Sequence, residues 1–297
     1  MVAFLFIVLS LLIPGIANAE PSQSAVVIVP VTDVWSDPAA DPSKLTDDRR
    51  ETQILFGERV EIRKSSGPWV QIEAVEQPTF RQRNRWEGYP GWVLQTSIGQ
   101  ARLHSNKRLT NQLWEHVLDY GAELPIGSCI FIPMNALVYS SPPTRFGILE
   151  TANLFLGTQY LWGGLTPDYP PTAALSPSTA GEKIKYGIDC SGLVHLAFRV
   201  HDMVIPRDAH EQWMKAKPIK RADLKPADLI FSAKADNPKI VTHVALYAGD
   251  GQIIEAPQAG LAVRKISFEQ KYGKALENVE SGDRVGERVI YFGSFLR

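Results

Sequence analysis

The chain has 297 residues, which favours two domains and leaves ample length for two buried cores. Its 31 basic and 32 acidic side chains give a formal charge of −1, and no basic tail or stripe stands out, so nucleic-acid binding has no support. The one locally basic run, Arg81 to Arg85, reads as a solvated loop.

In chain order, Val2 to Ile16 is nearly continuous apolar sequence followed by Ala17-Asn18-Ala19, an A-x-A pattern that predicts a signal peptide over residues 1–19, removed before Glu20. No Lys or Arg precedes the apolar run, and it is too short to span a bilayer. No cysteine lies near the cleavage point, so a lipid anchor is not indicated. Short β-like runs follow: Ala25 to Pro30, Val31 to Trp35, Gln53 to Phe56, Arg59 to Arg63, Trp69 to Ala74 and Gly91 to Leu94. Turn residues separate them, as in a small barrel. Residues 98–144 read as a linker or a degenerate second module, with a short helix around Leu113, Val117 and Leu118 and strands within Ser128 to Tyr139.

The chemistry concentrates in residues 145–297. Leu193, Val194, Leu196, Ala197 and Val200 recur at helical spacing, which puts Cys190 in a first turn, where unpaired N–H groups and the helix dipole favour a thiolate. Asp189 and Ser191 suit the start of that helix. An inert buried thiol is the competing reading of Cys190 taken alone. Downstream, Thr242 to Ala248 alternate and place His243, Ala245 and Tyr247 on one face. A two-residue Asp250-Gly251 turn would point Glu255 away from His243. A three-residue loop, Gly249 to Gly251 with Gly251 left-handed, sets Glu255 against Ala245 and diagonal to His243, at a Cβ separation of about 7 Å. In that register Cys190 serves as nucleophile, His243 as general base and then acid, and Glu255 as the group that orients the imidazole. The backbone N–H of Cys190 is the natural oxyanion donor.

Five ordered blocks carry a resemblance: Tyr160-Leu161-Trp162-Gly163-Gly164, Asp189-Cys190-Ser191-Gly192-Leu193, Pro206-Arg207-Asp208-Ala209 with Gln212, Thr242 to Tyr247, and Ile254-Glu255-Ala256. Over about residues 145 to 297 the chain resembles the NlpC/p-sixty cell-wall cysteine peptidases, relatives of papain, and within them the YkfC-type subgroup. Leu55 to Ile62, Gly67-Pro68-Trp69-Val70 and Gly88-Tyr89-Pro90-Gly91-Trp92-Val93 are similar to a bacterial SH3-like module over residues 20–97. The resemblance implies an α+β chain, a papain-like catalytic domain preceded by a small SH3-like β-barrel. It also implies hydrolysis of the γ-D-glutamyl to meso-diaminopimelate (or L-lysine) bond of peptidoglycan stem peptides, in fragments whose N-terminal L-alanine is free, by an exported enzyme without a cofactor. By the same resemblance Tyr160 helps form the oxyanion region, and Asp189, Ser191, Arg207 and Asp208 line the cleft. Asp208 would read an ammonium and Arg207 a carboxylate, while Glu58 and Tyr89 would hold the free amine.

Two departures stand out. The third catalytic position is most often histidine in this family, and here it is Glu255, whose carboxylate should stabilise the imidazolium and with it the thiolate. Leu165 to Ile188 is a long connection with Pro167, Pro170, Pro171 and Pro177, either a lid or a tolerated insertion. The second cysteine, Cys129, lies in an apolar run and reads as buried, since pairing with Cys190 would consume the nucleophile. His195, His201 and His210 lack metal-ligand spacing, and of the three His210 is nearest the expected cleft. An amidase or acyltransferase on another substrate uses the same dyad, and an inactive wall-binding protein is the third reading.

Overall fold

The computed structural model describes residues 23–29, 31–41, 44–55, 58–80, 84–99, 143–166 and 185–297. The expected signal peptide, Cys129, nearly all of the 98–144 segment and most of the 165–188 insertion lie outside the described residues.

The N-terminal part is a seven-stranded antiparallel sheet: β1 (Gln23–Val27), β2 (Val31–Trp35), β3 (Arg50–Leu55), β4 (Arg59–Ser66), β5 (Trp69–Thr79), β6 (Glu87–Leu94) and β7 (Ile98–Gly99), in the order β3-β2-β6-β5-β4-β1-β7. Every strand gives at least one side chain to one core, among them Val27, Val34, Ile54, Val60, Ile72, Tyr89, Val93 and Ile98. Gly91 is required where β6 crosses β2, because a Cβ there would stand 2.9 Å from the Trp35 carbonyl. Strand β5 runs further than its apolar pattern suggests. A register shift between Ala74 and Pro78 accommodates the proline within the sheet, and the Pro78 carbonyl accepts the N–H of Arg207 at 3.0 Å.

The C-terminal part contains α1 (Arg145–Leu154), β8 (Leu165–Thr166), β9 (Gly187–Ile188), α2 (Cys190–Arg199), α3 (Ala209–Lys215), β10 (Lys217–Pro218), β11 (Leu229–Lys234), β12 (Asn237–Gly249), β13 (Gln252–Glu255), β14 (Arg264–Ser267), α4 (Phe268–Tyr272), β15 (Arg284–Val285) and β16 (Arg288–Ser294). Its main sheet has the order β10-β16-β11-β12-β13-β14, with β15 paired to β16. Leu193, Val194, Leu196, Ala197 and Phe198 of α2 pack with Ile148 of α1 against Phe231, Val244, Leu246 and Ile254. All ten residues of α2 are buried, as expected of a helix apolar on most sides. The other face of the sheet, Ile230, Ala245, Ile253, Ile290 and Phe292, is covered by Phe268, Leu276 and Val279.

The two parts share a core. Val31 and Leu55 of the N-terminal sheet sit in the same cluster as α2. Arg199, at the end of α2, donates to Glu58 at 2.6 Å and to Glu76 at 2.9 Å. Gln53 accepts from the Leu165 N–H and Thr166 hydroxyl and donates to the Lys185 carbonyl. The N-terminal sheet therefore forms one wall of whatever cleft lies at the head of α2.

Candidate active site

Asp189 caps α2 by accepting the Gly192 N–H at 2.6 Å. Gly192 has no room for a side chain, since a Cβ would stand 2.6 Å from the Gly164 carbonyl, so the Gly163-Gly164 loop lies directly on the first turn. Cys190 is thereby pinned at the helix start, where its sulfur accepts the N–H of Val244 and of Ser191. Burial, with the Asp189 charge adding to it, nevertheless pushes the thiol up to about 12, and these N–H groups and Arg207 only partly offset the rise. Burial thus opposes the thiolate that the helix start favours.

The histidine's geometry follows from the hairpin. Asp250 and Gly251 both have positive φ, 49° and 68°, as a two-residue primed turn demands, and Gly249 pairs with Gln252. An irregularity between Tyr247 and Gly249 then shifts the ladder by one residue, so that Tyr247 pairs with Ile253 and Leu246 with Ile254. The turn is thus the shorter of the two considered, and the bulge at Ala248 restores the register of the longer one. Glu255 consequently shares the His243 face, and His243 Nε2 lies 2.7 Å from Glu255 Oε2. A carboxylate only accepts, so Nε2 carries the proton and Nδ1 is left as the basic nitrogen.

Glu255 has two further partners that the sequence did not signal. Arg264, opposite it in β14, donates to Oε1 from Nε at 3.1 Å and from Nη2 at 2.8 Å. Lys271 of α4 lies 2.8 Å from Oε2. Burial alone would raise this carboxyl, but the hydrogen bond and charge of His243, together with Lys271, bring it down to about 2. Arg264 and Lys271 share this carboxylate with His243, so only part of its charge supports an imidazolium. Burial accordingly lowers His243, with Glu255 opposing the shift and Lys271 and Arg288 adding to it. Burial thus favours the neutral forms of both the thiol and the imidazole, against the ion pair expected from the sequence. A depressed imidazole stays basic to lower pH, so the acid limb of kcat/KM is expected below the ordinary histidine value of about 6.5. The rate of Cys190 alkylation by iodoacetamide should keep rising from about pH 6 to about pH 10. A plateau reached below neutrality would show a preformed thiolate.

Next to the dyad, Arg207 is wholly enclosed. Its Nε donates to Thr52 Oγ1 at 2.8 Å, Nη1 to Asp189 Oδ1 at 3.0 Å and Ser191 Oγ at 3.1 Å, and Nη2 to Asp189 Oδ2 at 2.8 Å and the Gly164 carbonyl at 3.4 Å. Five N–H groups meet five acceptors, which leaves none for a substrate carboxylate. Asp189 is likewise saturated, since it also accepts from the Gly163 N–H and the Ser191 hydroxyl. The substrate-reading roles expected of Arg207 and Asp189 are corrected to a buried brace that includes the Ser191 hydroxyl and holds the first turn of α2.

Tyr160 is partly buried and packs against the core that holds Cys190, with its N–H on the Leu261 carbonyl. Burial first, then the charges of Cys190 and Asp189, raise its phenol well above the usual range, so it stays a donor. The Tyr89 hydroxyl lies 3.0 Å from Asp208 Oδ2 and 3.4 Å from Glu51 Oε2. Glu58 is elsewhere: it is buried on Arg199, the Leu55 N–H and Gln77, so its expected role at the amine is corrected. Glu51 is the acid of the N-terminal sheet beside Tyr89. His210 accepts the Val241 N–H at 3.3 Å and stacks near Trp213, whereas His195 and His201 are buried on Ile205 and Thr151.

The model of the NlpC/P60 family matches residues 157–278, a span that holds Tyr160, Cys190, His243 and Glu255. The chain is 27% identical over 259 residues to the gamma-D-glutamyl-L-lysine dipeptidyl-peptidase of Bacillus subtilis strain 168, covering 78% of this chain and 80% of that relative. It is 29% identical over 253 residues to the protein of the same name from Bacillus cereus, covering 73% and 70%. The crystal structure of an NlpC/P60 family protein from Bacillus cereus ATCC 10987 superposes with a TM-score of 0.62 at 20% identity, covering 93% of this chain and all of that one.

Proposed function

Residues 157–278 form an NlpC/P60 domain, the cysteine-peptidase part of this chain, and from that premise we propose that the protein is an exported peptidoglycan hydrolase. In this reading it cleaves the bond between γ-D-glutamate and a diamino acid, in stem-peptide fragments whose N-terminal alanine is free. The observation that carries the proposal is the convergence of Asp208 and Glu51 on the Tyr89 hydroxyl. Two carboxylates and a phenol at a cleft end walled by the N-terminal sheet suit an ammonium. Asp208 follows Arg207, whose brace reaches the residues on both sides of Cys190, so the ammonium would sit a short peptide's length from the sulfur. Similarity to two enzymes named for γ-D-glutamyl-L-lysine supports the same bond.

Catalysis then runs as general-base attack. His243 Nδ1 takes the Cys190 proton as the sulfur adds to the γ-carbonyl, and the Cys190 N–H with the Tyr160 hydroxyl receives the oxyanion. His243 returns the proton to the leaving amine, and water, deprotonated by the same nitrogen, hydrolyses the thioester. The Ala17-Asn18-Ala19 pattern supports export, and among the described residues no helix is long and apolar enough to cross a membrane.

Incubation with L-Ala-γ-D-Glu-meso-diaminopimelate should release L-Ala-D-Glu, followed by mass spectrometry, and Cys190→Ala should release none. Acetylation of the alanine amine should lower kcat/KM by about 10- to 100-fold, the loss of its charge-assisted hydrogen bonds. Undiminished cleavage of the acetylated peptide would remove the amine site, and no cleavage of the free peptide would remove the proposed reaction.

A further inference from the structure

The main sheet continues past His243, and its register places the residues that stand there. Ser232 of β11 pairs with both His243 and Ile290, and two residues further on Lys234 pairs with Arg288. Paired residues of a ladder share a face, as do residues two apart along a strand. Lys234 and Arg288 therefore stand on the His243 face, about 7 Å along the sheet. Arg288 Nη1 also donates to the hydroxyl of Thr242, next to His243, at 3.0 Å.

At this place a cavity of about 340 Å³ opens, lined by Lys234, Asp236, Arg284, Glu287 and Arg288. Among the described residues none of these five charged side chains is in an ion pair. Arg288 meets only the neutral Thr242 hydroxyl, and Arg284 Nε donates to the Gly286 carbonyl. Three cations and two carboxylates thus face one hollow with their charges unspent on one another, a composition suited to a ligand that carries both signs.

We propose that this cavity is the subsite for the leaving diamino acid, with Arg288 and Lys234 holding its carboxylate and Asp236 and Glu287 its distal ammonium. The assignment rests on the γ-D-glutamyl endopeptidase reading above. It follows from the direction of the reaction as well as from charge: the amine that His243 protonates belongs to this residue, so the residue must lie beside His243. A diamino acid with a free carboxylate is the class of ligand that uses both signs of the lining.

The test compares three peptides that begin L-Ala-γ-D-Glu and end in L-lysine, L-lysine amide or L-norleucine, at about pH 8, where His243 is neutral in wild type and variants alike. Wild type should cleave the acid at least about 10-fold faster in kcat/KM than either the amide or the norleucine peptide. Arg288→Gln should collapse the acid-to-amide ratio toward one, and Asp236→Asn the lysine-to-norleucine ratio. Equal rates on all three in wild type, or ratios untouched by the substitutions, overturn the subsite. Calorimetry of free L-lysine and meso-diaminopimelate with Cys190→Ala protein separates this proposal from the one beneath it. Binding lost on adding Arg288→Gln supports the subsite even where no peptide is cleaved, whereas cleavage without binding or discrimination leaves the endopeptidase and removes the subsite.

Discussion

Replacement of Glu255 by glutamine is expected to lower kcat/KM by about 10²- to 10⁴-fold with little loss of stability. The reason lies in what surrounds the two oxygens. Among the described residues, Oε1 meets donors from Arg264, and Oε2 the donors His243 Nε2 and Lys271 Nζ. An amide has one oxygen and one NH2, and the forked contact with Arg264 claims the oxygen. The NH2 then faces His243, which can accept it only by moving its proton to Nδ1, and the nitrogen that should take the Cys190 proton loses its lone pair. The fold survives because Arg264 and Lys271 keep 38% and 21% of their side-chain surface in solvent and can relax toward it. Lys271→Met is the informative companion. The Lys271 charge holds His243 down, so its removal should raise the imidazole and move the acid limb of kcat/KM to higher pH without abolishing turnover. Activity of Glu255→Gln within about threefold of wild type would remove Glu255 from the mechanism.

The dyad was legible in the sequence because each member announces its own local structure. Cys190 heads a run with helical periodicity, and His243 lies in an alternating strand. The placement of Glu255 depended on a loop residue count, and its two competing registers are both present in part, as a short turn followed by a bulge. What the sequence withheld is contact between distant segments. Strand β14 has only four residues and α4 only five, too short to show a period, so Arg264 and Lys271 gave no signal. Glu58 stands out because it occupies a recognisable turn, whereas Glu51 lies in β3 ahead of its apolar run and gives no such signal. The carboxylate-reading role of Arg207 comes from the family resemblance, which carries no information on its burial. Its burial is decided by Thr52, 155 positions earlier, and by Asp189, neither of which is adjacent to it in the chain.

Arg207→Met should cost about 3–5 kcal/mol, since it strips a buried carboxylate, Asp189, of its charged partner. That corresponds to a fall in Tm on the order of 10 °C. Arg207→Lys should recover only part of this loss, because an ammonium cannot span Thr52, Ser191, the Gly164 carbonyl and both oxygens of Asp189 as the planar fork does. Stability alone would not distinguish a brace for the nucleophile from a bolt between two halves of the molecule, and α2 supplies the control. A second buried arginine, Arg199, ties the opposite end of the same helix to Glu58 and Glu76 of the N-terminal sheet. Arg199→Met should bring a comparable fall in Tm while kcat/KM per folded molecule stays near wild type, because its contacts end a full helix length from Cys190. Arg207→Met should lose both, since Asp189 and Ser191, released from the fork, no longer fix the turn that aims the sulfur. Equal activity in the two folded variants would show that Arg207 only joins the halves.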